Sequence, residues 1–127
     1  YRASWISRSD QWAMPTWPLQ KQGDKMSVLN KETLWARHVA PWEKFRSQQG
    51  IGIHVGEWGA YNKTPHEIVL KWMRDCLKNW QRAGMGWALW TLRGSFGPLD
   101  SHRADVVYEN YKGHKLDRKM LELLKQF

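Results

Sequence analysis

Residues 51–59, IGIHVGEWG, place one carboxylate, Glu57, between two glycines and beside an aromatic at the end of an apolar run. Glu is rarely buried without a partner, so a Glu here is either satisfied by its neighbours or held for chemistry. Carboxylate chemistry on sugars uses two such groups. The other glutamates are Glu32, Glu43, Glu67, Glu109 and Glu122. Glu32 and Glu43 fall on one predicted helix, Glu67 and Glu122 on two others, and Glu109 in the last loop. None is at a predicted strand end. Asp100 is nearer to one and is the remaining candidate for an acid/base. His54, Tyr61 and His102 also lie near predicted strand ends, where a surface or supporting role is at least as good a reading as a catalytic one. The five His are dispersed without paired ligand spacing, so neither a metal site nor a cofactor is expected.

The elements that position Glu57 alternate along the chain. Residues 1–6, YRASWI, read as a strand end, and 7–26 as a long polar loop of the kind that usually has a function. Asn30 caps a predicted helix from Lys31. In it Leu34, His38, Trp42 and Phe45 recur at helical spacing, and Pro41 is expected to kink it. Gly50 ends it, and a strand follows over about 51–56. Thr64 and Glu67 have capping-box spacing, with Pro65 at the first helical position. The helix they open carries Val69, Met73, Cys76 and Trp80 on one face and stops at Gly84. Residues 86–92, GWALWTL, read as a short strand. A polar loop then leads to a last helix from about 115, with Leu116, Met120, Leu123 and Leu124 inward. Strands alternating with helices imply parallel β/α units, which bind ligands at the C-terminal ends of their strands.

The totals set limits. The chain has 127 residues, 42% hydrophobic and 25% charged, enough for one folded domain. A closed eight-stranded barrel needs about 250 residues, so this is a small open sheet or part of something larger. The chain has no initiator Met, and its start reads as a cut or an interior beginning. Ten Trp is the outlier. Trp faces stack on ligands, but most of the ten are expected in the core. The net charge of +8 permits nucleic-acid binding. However, Lys71, Arg74, Lys78 and Arg82 are spaced as on a solvated helix face, so no nucleic-acid partner is expected. No apolar run approaches the roughly 18 residues of a membrane span. The one cysteine, Cys76, falls on an apolar helix face and is expected to be inert core.

VGEWG, a helix, and then GWALWTLRGSFGPLD together resemble the C-terminal part of glycoside hydrolase family 5, the cellulase and mannanase family. The resemblance runs from YRASW to the last helix. It implies an α/β fold, about the last three β/α units of a (β/α)8 TIM barrel, with residues 1–127 forming a single partial domain. In the family the Glu at the end of strand seven is the nucleophile of a retaining mechanism, which Glu57 matches. A Trp at the end of strand eight floors the sugar subsite, which Trp90 matches. Trp5 and Trp17 fall in the segment that borders the cleft. The family's acid/base Glu on strand four has no counterpart. The resemblance therefore implies a fragment of an endo-β-1,4-glucanase, inactive alone, self-associating through open barrel edges, and secreted because the family's substrates are polymers. A β-mannanase fragment, a β-glucan-binding module and an assembly with no biological role are the alternatives.

Overall fold

The longest element of the computed structural model, which describes residues 5–20 and 28–127, is the helix α3, His66–Ala83. Val69, Leu70, Met73, Cys76 and Leu77 recur at helical spacing and are all buried, while Lys71, Arg74, Lys78 and Arg82 are exposed. This amphipathic pattern makes a helix that must pack on something. It ends at Gly84, φ 65°, where the Gly84 N–H bonds the Gln81 carbonyl and the Met85 N–H bonds the Trp80 carbonyl. A side chain at that φ would be strained.

α3 joins two parallel strands, β3 (His54–Trp58) and β4 (Gly86–Leu89), as a β/α crossover requires. The expected pair is therefore present, with β3 displaced toward Glu57 and β4 shorter than expected. α3 buries its apolar face against Trp58 of β3 and against Met120 and Leu123 of the last helix, α4 (Arg118–Leu124). Among the described residues β3 and β4 form a two-stranded sheet, and two antiparallel hairpins accompany it. The first pairs β1 (Leu19–Gln20) with β2 (Val28–Leu29). The second pairs β5 (Glu109–Tyr111) with β6 (His114–Leu116) around Lys112, φ 51°, and Gly113, φ 85°. Two central residues of positive φ make the turn whose twist suits a hairpin. The strand end expected over 1–6 falls mostly outside the described residues, as do residues 21–27 of the first loop.

The helix before β3 begins as α1 (Lys31–Leu34), with the Asn30 side chain accepting from the Thr33 N–H as expected. Pro41 lacks an N–H, and its ring would strike the carbonyl four residues back. A π turn over Trp35–Val39, in which the Ala40 N–H reaches the Trp35 carbonyl, precedes it. The helix resumes as α2 (Ala40–Gln49), with Pro41 in the first turn where a missing donor costs little. The extra residue rotates the face. Val39 and Trp35 pack with Ala83 and Met85, whereas His38, Trp42 and Phe45, which recur at helical spacing in the sequence, are exposed.

Two further expectations are corrected. The Thr64–Glu67 capping box does not form: α3 starts at His66, Pro65 makes no side-chain cap, and the His66 N–H bonds Asp105 Oδ2 at 2.6 Å. A carboxylate 39 residues away in sequence outcompetes the local hydroxyl, because an ionised acceptor is stronger. The last helix begins at Arg118 rather than near 115, with Asp117 Oδ1 accepting from the Met120 N–H.

Candidate functional site

β3 carries one residue more than β4 across the same span. Val55 pairs with Trp87 and Trp58 with Leu89, three steps against two. Strand residues alternate faces, so without this bulge Glu57 would share the face of Val55, toward the helices. With it, Val55 and Trp58 both turn inward while Gly56 and Glu57 are exposed. Bulges re-aim side chains in this way. Glu57 therefore stands on the open side of the sheet, and among the described residues no hydrogen bond or ion pair reaches it. The sequence suggests a buried strand end; the structure shows an open one.

Trp90 follows β4 at the adjacent strand end and is 51% exposed. Its N–H donates to the Trp58 carbonyl at 2.8 Å. Gly59 allows this closeness: a Cβ there would lie 2.5 Å from the Trp90 carbonyl oxygen and 3.5 Å from Phe96 Cβ. The structure thus brings Glu57 and Trp90 to neighbouring strand ends.

Trp5 belongs to an aromatic group whose other members, Tyr61 and Phe96, are in the loops that follow these strands. Its ring is 5.0 Å from Tyr61 and 6.0 Å from Phe96, and those two are 5.6 Å apart. Trp17 sits apart, with Nε1 donating to Asp75 Oδ2 of α3 at 2.8 Å. Trp5 and Trp17 line one cavity of about 360 Å³ with Tyr61, Trp72 and Phe96, and neither Glu57 nor Trp90 borders it. His54 opens β3 at the end away from Glu57 and lies across Gly86, where a Cβ would be 2.9 Å from Nδ1. His102 is exposed, with φ 55°. Of the ten Trp, Trp5, Trp12, Trp42 and Trp90 are exposed, more than a mainly core role predicts.

Asp100, the remaining acid/base candidate, is held by three partners. It accepts from the Lys115 N–H at 2.9 Å, meets His114 Nδ1 at 2.8 Å and accepts from Arg93 Nε at 2.6 Å. The backbone N–H, then the His114 ring and Arg93, hold its carboxyl well below the usual carboxylate range. Its folded pKa lies under its unfolded value, so its stabilising effect is present above about pH 4 and fades as pH falls below that. Asp100→Asn should therefore lower the urea midpoint at pH 7, and the gap to the unsubstituted chain should narrow at pH 3. An equal gap at both pH values would count against an ionised anchor. Burial, then the Asp75 charge, pushes the Cys76 thiol up to about 12, which leaves it inert near neutral pH. Among the described residues no three His, Cys, Asp or Glu are grouped to hold a metal.

The buried residue that the sequence does not reveal is Arg103. It is 2% exposed and donates from Nη2 to the Ala60 carbonyl at 2.6 Å and from Nη1 to the Thr64 carbonyl at 2.8 Å. Its own N–H donates to Tyr108 Oη at 2.6 Å. It ties the loop after β3 to the loop after β4, and so fixes the backbone that leaves Glu57. Asn62 makes a second tie, donating to the Ser101 carbonyl at 2.7 Å.

The chain is similar, over nearly its whole length, to part of a glycoside hydrolase. That crystal structure matches 99% of this chain and 37% of its own, at 35% identity and a TM-score of 0.83. The endoglucanase Cel5A of Thermotoga maritima matches 97% of this chain and 34% of its own, at 22% identity and a TM-score of 0.71. Cel5A in complex with mannotriose matches 96% and 33%, at 22% identity and a TM-score of 0.65. The likeness to Cel5A is one of fold. The chain spans about a third of the length of these structures. No family model matches it, and no curated protein does.

Proposed function

We propose that residues 1–127 are the C-terminal part of a retaining endo-β-1,4-glucanase built as a (β/α)8 barrel, a single partial domain that carries the nucleophile and lacks the acid/base. The bulge that turns Glu57 onto the open side of the sheet, one strand from exposed Trp90, carries this reading. Its likeness at 35% identity to a glycoside hydrolase supports it. In the complete enzyme Glu57 attacks the anomeric carbon while a second carboxyl about 5 Å away protonates the leaving oxygen; that second group then activates water to release the sugar. Trp90 stacks on the pyranose face, since apolar C–H surface lies well on an indole. Trp5, with Tyr61 and Phe96, and Trp17 line a separate cavity and offer aromatic surface to sugar units further from the reacting bond.

Crystals of Cel5A with cellobiose and with mannotriose favour a β-1,4-linked glucan or mannan as the substrate class. A polymeric substrate fits a secreted protein. Alone, the chain self-associates through its open edges, which light scattering at 15 kDa resolution tests; a monodisperse monomer is the contrary result.

The test is reducing-sugar release from soluble β-1,4-glucan by the chain and by Glu57→Gln. Neither is expected to turn over. Release that the variant abolishes would mean that the chain assembles its own second carboxyl, and the incomplete-site reading would fail. Exposed Trp5, packed against half-buried Tyr61 and Phe96, favours a second reading, a β-glucan-binding module in which Glu57 only hydrogen-bonds a hydroxyl. In both readings Trp90→Ala weakens cello-oligosaccharide binding. They part when the rest of a barrel is supplied, since Glu57→Gln then abolishes turnover only under the first.

A further inference from the structure

We infer that the outer face of α3 binds an anionic polysaccharide, one that carries carboxylates along an unbranched chain, at a surface separate from Glu57 and Trp90. The polysaccharide class rests on reading the chain as part of a glycoside hydrolase. Lys71, Arg74, Lys78 and Arg82 are all exposed and follow one another at steps of three or four residues, so they lie along one line of the helix. At a rise of about 1.5 Å per residue the row is about 16 Å long. Like charges at this spacing repel and weaken a helix. A face that is only solvated alternates its signs and pairs them, as Arg118 and Glu122 do on α4. Among the described residues none of the four cations of α3 meets a carboxylate in an ion pair.

The two carboxylates of α3 that border the row have other partners. Glu67 meets Lys119 of α4 at 3.5 Å, and Asp75 accepts from Trp17 Nε1 at 2.8 Å. Arg82 lies over the Trp35 ring, 3.6 Å from its centroid, which holds one end of the row in place. Cations in a line without counter-charges attract a polyanion and release its counterions on binding. The rest of the face narrows the occupant. α3 turns Val69, Met73 and Leu77 into the core, so the row has no apolar side chains to enter a lipid layer. Its aromatic residues, Trp72 and Trp80, pack on Trp58 and are not set among the cations to stack on bases. Carboxylated sugar units need neither, and they belong to the class of polymer on which a glycoside hydrolase acts. In a (β/α)8 barrel the helices form the outer ring, so this face stays in solvent when the remaining strands are present.

The test measures binding of the chain to cross-linked polygalacturonate and to an uncharged β-1,4-glucan matrix. Raising the salt from about 0.05 M to about 0.5 M should weaken binding to polygalacturonate by about tenfold or more. Lys71→Gln, Arg74→Gln and Lys78→Gln together should weaken it by about tenfold or more at low salt. The thermal midpoint should stay unchanged, since Gln is nearly as good a helix former. Lys44→Gln, Lys63→Gln and Lys115→Gln remove the same charge from exposed positions elsewhere. That second triple variant should change binding by less than about twofold, because charges off the row are screened. Equal losses in the two triple variants would mean that net charge alone is read, and overturn the inference. A chain that polygalacturonate does not retain also overturns it. So does tighter binding, at the same salt, to a DNA duplex or to vesicles of anionic lipid that the α3 variant loses, which assigns the face to that partner. Trp90→Ala should leave polygalacturonate binding unchanged; a matching loss there would merge the two surfaces and sink the separate site. The uncharged glucan is scored independently: no binding to it, beside α3-dependent binding to polygalacturonate, leaves this face standing and removes the proposed cleft.

Discussion

Replacing Arg103 with Met should lower the midpoint of thermal unfolding by about 10 °C or more, given about 1.5–3 kcal/mol for each of two lost hydrogen bonds from a charged group and a few degrees per kcal/mol in a domain of this size. The substitution keeps most of the side-chain volume and removes only the donors. The partly buried carbonyls of Ala60 and Thr64 then lose these partners, at a cost of up to about 1–3 kcal/mol each. Asp105 and Asp117 also lose the positive charge that faces them. Burial lowers the pKa of Arg103, yet guanidinium remains charged at neutral pH, so the loss is that of a cation. Arg103→Lys reaches fewer carbonyls with a single ammonium and should fall between the two. Hydrogen exchange gives the local readout: amides of residues 60–64 should exchange faster in both variants. A midpoint within 2 °C of the unsubstituted chain, roughly half a kcal/mol or less, would mean that water replaces the guanidinium and that the two loops are held by other contacts.

The second large effect is expected at Trp58. Trp58→Ala should destabilise the fold by about 3–5 kcal/mol, the range for emptying a large aromatic site. The indole sits directly under the bulge, with centroids 4.8 Å from Trp80, 5.7 Å from Trp72 and 5.7 Å from Trp87. It touches all three, so its loss opens the layer between the sheet and α3. Trp58→Phe is the instructive comparison. The Trp58 Nε1–H is buried with no acceptor among the described residues, so Phe gives up volume and no hydrogen bond. It should cost less than half as much as Ala in urea unfolding. Equal costs for Phe and Ala would point to an acceptor for that N–H, such as an ordered water.

What the sequence makes legible here is what depends on short-range chemistry. α3 is written in the spacing of Val69, Met73 and Cys76, its stop in Gly84, and the start of α1 in Asn30. The parallel pair follows from two apolar runs with a helix between them. The site is legible to the extent that Glu57 and Trp90 stand near the ends of consecutive strands. What escapes is set by distance. Nothing near Thr64 signals that Asp105 will take the His66 N–H, and nothing near Arg103 signals that it will be enclosed. Lys112–Gly113 between ENY and HKL is a two-residue hairpin signal, hidden by a polar setting. His38, Trp42 and Phe45 recur at helical spacing, but the π turn over Trp35–Val39 contains the first and shifts the phase of the other two, and nothing described covers that side. Gly56 inside the strand pattern is the one local hint of a bulge.

That bulge makes the position of the carboxylate a matter of parity. Val55 and Trp58 both face the helices although they are three positions apart, with two residues between them, which plain alternation forbids. Adding or removing one residue between them would leave the composition of VGEWG almost intact and send the acid to the opposite side of the sheet. Sites of this kind in other parallel sheets are therefore to be sought by odd spacing between inward residues, before asking which acid lies between them.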